Sequence, residues 1–224
     1  MKQLACILGI SATGVLTSLY AGSVALNNVG ITPATSLVIT YSGTSTPASG
    51  GIAAAGYFAT LTDAQVLTLS ADLGNIASLV ADFQIVTTTT LDSAFGGNLP
   101  NSGLFDVNNA SVTLPNSTLS GRGLYTFLGN QATLGGSNQF LLWNNTDSID
   151  AQDTVAQPDD NTLLMAQEGS ALISGRNTTA IVDFSPIGGG SGVAIPAIQL
   201  AAVPELSSFI LSTFCIFGLL RRKR

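Results

Sequence analysis

Residues 62–86 read TDAQVLTLSADLGNIASLVADFQIV, and here the spacing of apolar residues changes period. Val66, Leu69 and Leu73 recur at intervals of three and four residues, which puts them on one face of a helix. Gly74 interrupts the pattern, and Ile76, Leu79, Val80 and Phe83 resume it. Thr62 or Asp63 can cap the start, because a short side-chain oxygen accepts an otherwise unpaired N–H of the first turn. Two short helices are predicted, over residues 63–72 and 76–83, with their apolar faces laid on one side of a sheet.

Outward from this stretch the period is two. TSLVITYSG (35–43) sets Leu37, Ile39 and Tyr41 against Val38 and Thr40 and reads as a strand. A turn at 47–51 leads to a second strand over 52–61, expected to form a hairpin with the first or lie beside it. Downstream, the Thr- and Gly-rich residues 87–103 read as a loop. Strand candidates follow at 103–114, 123–130 and 138–145, then an acidic surface loop at 147–161. Short strands are expected at 162–166 and 171–173. The Gly-rich residues 188–192 read as a flexible connection without the Lys-Ser/Thr of a phosphate loop. A final edge or half-buried strand is expected over 194–203, where Ile198 and Leu200 alternate with Gln199. The expected fold is mainly β (α+β): a sandwich-like antiparallel sheet domain with a short helical insert.

The two ends are different in kind. Lys2 precedes a stretch that is apolar as far as Leu19, and small residues follow at Ala21, Gly22, Ser23 and Ala25. That order is the charged region, apolar region and cleavage region of a secretory signal peptide, assigned to residues 1–25. Cleavage after Ala21, Ser23 or Ala25 fits, and Ser23-Val24-Ala25 matches the small-x-small rule best. At the other end, residues 206–220 form an apolar run of 15 residues whose bulky side chains surround the whole helix circumference. As a helix the run reaches about 22 Å, against about 30 Å of hydrocarbon. Arg221, Arg222, Lys223 and Arg224 follow and would hold the chain end in the cytoplasm, because Lys and Arg resist translocation. Hydrophobic helices at both ends are therefore expected to flank the body.

Residues 204–224 resemble a PEP-CTERM sorting tail of Gram-negative-type bacteria. The matching parts are Pro204-Glu205 directly after Val203, the apolar run 206–220, and the basic stop Arg221, Arg222, Lys223 and Arg224. Leu206 stands where that family usually has a second Pro. The resemblance implies processing at Val203, Pro204 and Glu205 by exosortase, a membrane transpeptidase with a Cys nucleophile, after export through the secretion translocon. It implies transient anchoring in the inner membrane by the C-terminal helix, then residence at the cell surface or in an extracellular matrix. The body is similar to secreted, low-charge β-rich proteins that carry such tails, for which a common inference is association with exopolysaccharide or biofilm.

Residues 26–203 leave a body of 178 residues, enough for one domain with a real core. Its only basic residues are Arg122 and Arg176, against 12 acidic ones, so its net charge is −10. Nucleic acid is excluded as a partner, since phosphate contacts need a basic surface. Both cysteines, Cys6 and Cys215, fall in the end segments, and the chain has no His. Ser-His-Asp and Cys-His chemistry and His-ligated metal sites are therefore excluded. The absence of Lys from the body excludes Schiff-base chemistry. No cofactor is expected.

Three weaker constellations remain. Asp147, Asp150 and Asp153, with Asp159 and Asp160, are candidate Ca²⁺ ligands, but their spacing is not that of an EF-hand and the segment reads as a solvated acidic loop. Glu168 and eleven Asp leave a carboxylate pair for a glycoside hydrolase arithmetically available, without a motif. Tyr57, Phe58, Tyr125, Phe127, Phe140 and Trp143 are candidates for a sugar-stacking platform, although strand aromatics usually pack in a core. The expected function is that of a non-enzymatic exported surface or matrix protein. The alternatives are a saccharide-binding β domain or, behind it, a carboxylate-pair glycoside hydrolase.

Overall fold

The computed structural model describes residues 20–28, 36–92, 103–114, 122–148, 170–182 and 191–204. Both end helices expected from the sequence, and the strand expected at 162–166, lie outside these residues. Within them the protein is mostly β with few helices.

The capping signal at residue 62 acts as read. Thr62 Oγ1 accepts from the Gln65 N–H, and Gln65 Oε1 accepts from the Thr62 N–H at 2.9 Å, a reciprocal capping box. It opens α1 (Asp63–Ser70). Asp72 then accepts from the Gly74 N–H at 2.8 Å and starts a single 3-10 turn, Leu73–Asn75, that leads into α2 (Ile76–Asp82). The path bends by 120° between the two helical pieces. Val66, Ile76 and Leu79 point into the core, as their spacing requires.

The chain returns to strand at once, earlier than expected. β4 (Phe83–Thr90) occupies the first part of the segment read as a loop. Ile85, Val86 and four consecutive Thr are β-branched, and stiff side chains of this kind suit a pleated surface whatever their polarity. β4 pairs antiparallel with β3 (Ile52–Phe58), β3 with β6 (Gly123–Gly129), and β6 with β7 (Gln139–Ser148). The short β11 (Ala201–Ala202) and β8 (Ser170–Ile173) both pair with β7, completing a six-stranded sheet.

A second sheet has the order β2 (Val38–Thr40), β10 (Val193–Gln199), β9 (Asn177–Val182). The expected hairpin between the strands at 35–43 and 52–61 is therefore not formed: β2 pairs in parallel with β10, and β3 belongs to the other sheet. Val38 and Ile39 are both fully buried on opposite faces, so β2 needs cover on each side and a simple hairpin would not supply it. Likewise β10 is a central strand of its sheet, with Ala197, Ile198 and Gln199 all buried, where an edge or half-buried strand was expected. β9 has no counterpart in the sequence reading. A third sheet pairs β1 (Tyr20–Asn27) with β5 (Asp106–Leu114). β1 runs through the three positions at which cleavage was expected from the sequence, Ala21, Ser23 and Ala25.

Both faces of the six-stranded sheet are covered. One face, carrying Ala53, Ala55, Leu128, Leu141 and Trp143, meets Leu26 of β1, Ile39 of β2, Phe105, and Ile198 of β10. The other, carrying Phe58, Phe83, Tyr125, Phe127 and Phe140, lies under α1 and α2. Gly103 shows how closely the layers approach. Its φ is +82°, and a Cβ there would sit 2.2 Å from the Ile39 carbonyl oxygen.

Candidate functional site

The junction with the C-terminal segment that resembles a sorting tail is described as far as Pro204. After β10 the chain passes through Leu200, fully buried, and crosses from the three-stranded sheet to the six-stranded one as β11. The Val203 N–H donates to the Asn138 carbonyl at 2.9 Å, the last bond tying this segment to the sheet. Val203 is half-buried against the helix-side core and Pro204 is exposed. Proline has no N–H to extend the ladder, which explains why the chain leaves the sheet here. Glu205, the apolar run and Arg221, Arg222, Lys223 and Arg224 lie outside the described residues.

The aromatic platform does not form from the residues proposed for it. Phe58, Tyr125, Phe127, Phe140 and Trp143 are all buried, and only Tyr57 is half-buried. Four of them, with Phe83, make a row of edge-on and tilted ring contacts beneath the helices. The centroid distances are 5.0 Å for Phe58–Tyr125, 5.3 Å for Phe58–Phe83, 5.4 Å for Phe83–Phe127 and 5.8 Å for Phe127–Phe140. The physical reason is that both faces of this sheet are covered, so alternate positions on a strand are all interior.

The described carboxylates with assigned partners hold loops. Asp82 accepts from the Thr60 and Leu61 N–H groups and from the Thr60 hydroxyl at 2.6 Å. Burial works to raise its pKa, but these bonds and the Arg122 charge outweigh it and hold the carboxyl below its ordinary value. Asp72 caps the 3-10 turn, and Asp92 accepts from the Gly50 N–H. Asp63 accepts from the Tyr125 hydroxyl at 2.7 Å. Burial, and then the Asp63 bond and charge, push the Tyr125 pKa far above the ordinary phenol value, so this hydroxyl stays a donor. Asp63 and Arg122 border a concavity of about 290 Å³ beside Phe58 and Gly123. Arg122 is itself committed, since Nη1 donates to the Phe58 carbonyl at 2.6 Å.

Of the candidate metal ligands, Asp147 lies in β7, which runs on through Ser148 where a loop was expected, while Asp150 and Asp153 are outside the described residues. Glu168, Asp159 and Asp160 are outside them too. Among the described residues no group of three His, Cys, Asp or Glu is placed to hold a metal ion.

A second concavity, also of about 290 Å³, was not anticipated. The loop Gly43–Thr44–Ser45 forms one wall, Arg176 and the start of β9, Asn177–Thr178, form the other, and Gln199 of β10 lies between them. The one available sequence signal was Arg176 itself, one of only two cations in the body. Its neighbours come from segments more than 130 residues apart, as the Ser45–Thr178 hydroxyl contact shows, so no local motif betrays them. Comparison with known protein families, with curated proteins and with solved structures finds no match for this chain.

Proposed function

We propose that this protein is an exported bacterial surface or extracellular-matrix protein, non-enzymatic and associated with exopolysaccharide, whose C-terminal tail is read by an exosortase-type membrane transpeptidase. The observation that carries this reading is the order of the tail: Pro204-Glu205, the apolar run 206–220, then Arg221, Arg222, Lys223 and Arg224. The N-terminal Lys2, apolar stretch and small-residue region support passage through the secretion translocon. The exposed Pro204, next to the last bond made by Val203, supports a processing segment that a protease cleft can reach. The body is read as sandwich-like, with hydrophobic helices flanking it as transient signals.

The test is the Pro204→Ala, Glu205→Ala double variant in the native host, followed by fractionation and mass spectrometry. The expected result is an uncut, membrane-bound form. Maturation at the normal rate to the normal mass would overturn the reading. A saccharide-contacting β domain is the second reading, favoured by the hydroxyl- and amide-lined concavity beside Arg176.

A further inference from the structure

From the concavity beside Arg176 we infer a binding site for an acidic sugar: a glycan unit carrying one carboxylate among hydroxyls, with the carboxylate on Arg176. This names the ligand of the saccharide-contacting reading and rests on it.

The site is held in shape by one buried polar residue. Gln199 is 7% exposed, and its side chain grips one wall, with Oε1 accepting from the Gly43 N–H at 3.2 Å and Nε2 donating to the Thr44 carbonyl at 2.7 Å. Its backbone grips the other wall, since its N–H donates to the Arg176 carbonyl at 3.0 Å and its carbonyl accepts from the Gly175 N–H at 2.7 Å. Gly175 is required for this approach. A Cβ there would lie 2.8 Å from Gln199 Cβ and 2.9 Å from the Leu200 carbonyl oxygen. The two walls also meet through the Ser45 and Thr178 hydroxyls, 3.4 Å apart. A cavity whose walls are fixed before the ligand arrives loses little on binding to ordering its own parts.

The lining determines the chemistry. Arg176 is exposed, and among the described residues its guanidinium has no hydrogen-bond or ion-pair partner. A guanidinium presents a planar fork of donors that matches a carboxylate with two parallel bonds. Around it stand the hydroxyls of Ser45 and Thr178 and the amide of Asn177, which donate and accept as sugar hydroxyls require, while the Thr44 hydroxyl is held by the Tyr41 carbonyl and the Thr46 N–H. Among the described residues no aromatic ring lines the cavity, so polar contacts must set the ligand's orientation. A single cation in the site, on a body of net charge −10, suits a sparsely charged ligand. A densely charged polyanion would meet repulsion, whereas a single carboxylate is shielded from the more distant charges over about 8 Å at physiological salt.

The test is calorimetric titration of the full-length chain at neutral pH with three probes: xylotriose carrying one glucuronate, plain xylotriose, and triglutamate. The acidic sugar should bind at least tenfold more tightly than the other two. Arg176→Gln should remove about that factor, and Arg176→Lys should restore part of it, since the charge returns without the fork. The thermal midpoint should be unchanged in both variants. Equal binding of both sugars, unaffected by Arg176→Gln, would overturn the acidic-sugar site while leaving saccharide contact standing. Binding of neither sugar would overturn the site and the saccharide-contacting reading together. Triglutamate binding as tightly as the acidic sugar, and losing it with Arg176→Gln, would reassign the site to acidic peptides and overturn the inference.

Discussion

Asn28 is 1% exposed, and both its side chain and its backbone are fully bonded. Nδ2 donates to the Leu37 and Gly103 carbonyls at 2.7 and 2.8 Å, and Oδ1 accepts from the Phe105 N–H at 2.8 Å. Its own N–H and carbonyl engage Phe105 and Leu37. One amide therefore clasps the end of β1 to the approaches of β2 and β5. Asn28→Ala strands buried polar groups on two segments and should cost about 3 kcal/mol in chemical denaturation. Asn28→Asp should cost more, because a carboxylate would face two carbonyl oxygens. Asp82 gives a pH dependence. Its pKa is lowered on folding, so its contribution is complete above the unfolded value, about 3.9, and is lost as pH falls through the folded value. The gap in thermal midpoint between wild type and Asp82→Asn should therefore hold steady down to about pH 4 and shrink as pH falls below it. A constant gap would show that the carboxylate charge is not what holds residues 60 and 61.

At the scale of elements, the helical pair is a cover for the aromatic row rather than an independent unit. α1 has eight residues and α2 seven, too short to persist alone in water. What keeps them folded is burial of Val66, Ile76 and Leu79 on Phe58, Phe83 and Tyr125, with the cap at Thr62 aligning the entry. Thr62→Ala should cost about 1 kcal/mol, the usual value of a lost cap. Phe127→Ala should cost about 3–5 kcal/mol, because it opens a fully buried cavity in the ring row between Phe83 and Phe140. Equilibrium unfolding of both variants checks the ranking, and a larger loss from the cap would mean that the helices organise the sheet.

For the whole molecule the informative boundary is the N-terminal one. β1 pairs with β5 over Tyr20↔Leu114 to Asn27↔Asp106. A chain beginning at Gly22 keeps the pairs from Gly22↔Val112 onward, whereas one beginning at Leu26 keeps only Leu26↔Val107 and Asn27↔Asp106. β5 would then lose most of its partner, leaving backbone groups unpaired along its edge. The chain that begins at Gly22 should melt higher than the one that begins at Leu26. Equal midpoints would show that residues 22–25 add nothing to the fold.

The mainly β character, the helical pair and its capped start were legible in the sequence because periodicity and capping act over three or four neighbouring residues. Polarity misled where shape mattered: the Thr run of β4 read as loop, although its β-branched side chains suit a strand. Strand partners were not legible. β2 lies beside β10 and β3 between β4 and β6, and such pairing follows from which faces need cover once the chain is compact. The same holds for the candidate site. Arg176 was visible as a scarce cation, but the wall of Thr44 and Ser45 is brought to it by the clasp of Gln199, which reaches Thr44 across 155 residues of sequence. Only the tertiary structure could decide that, because a buried amide selects its partners by position in space and leaves no spacing in the chain. The tail is the opposite case: its order of Pro-Glu, apolar run and basic stop is linear, and it is written in the sequence alone.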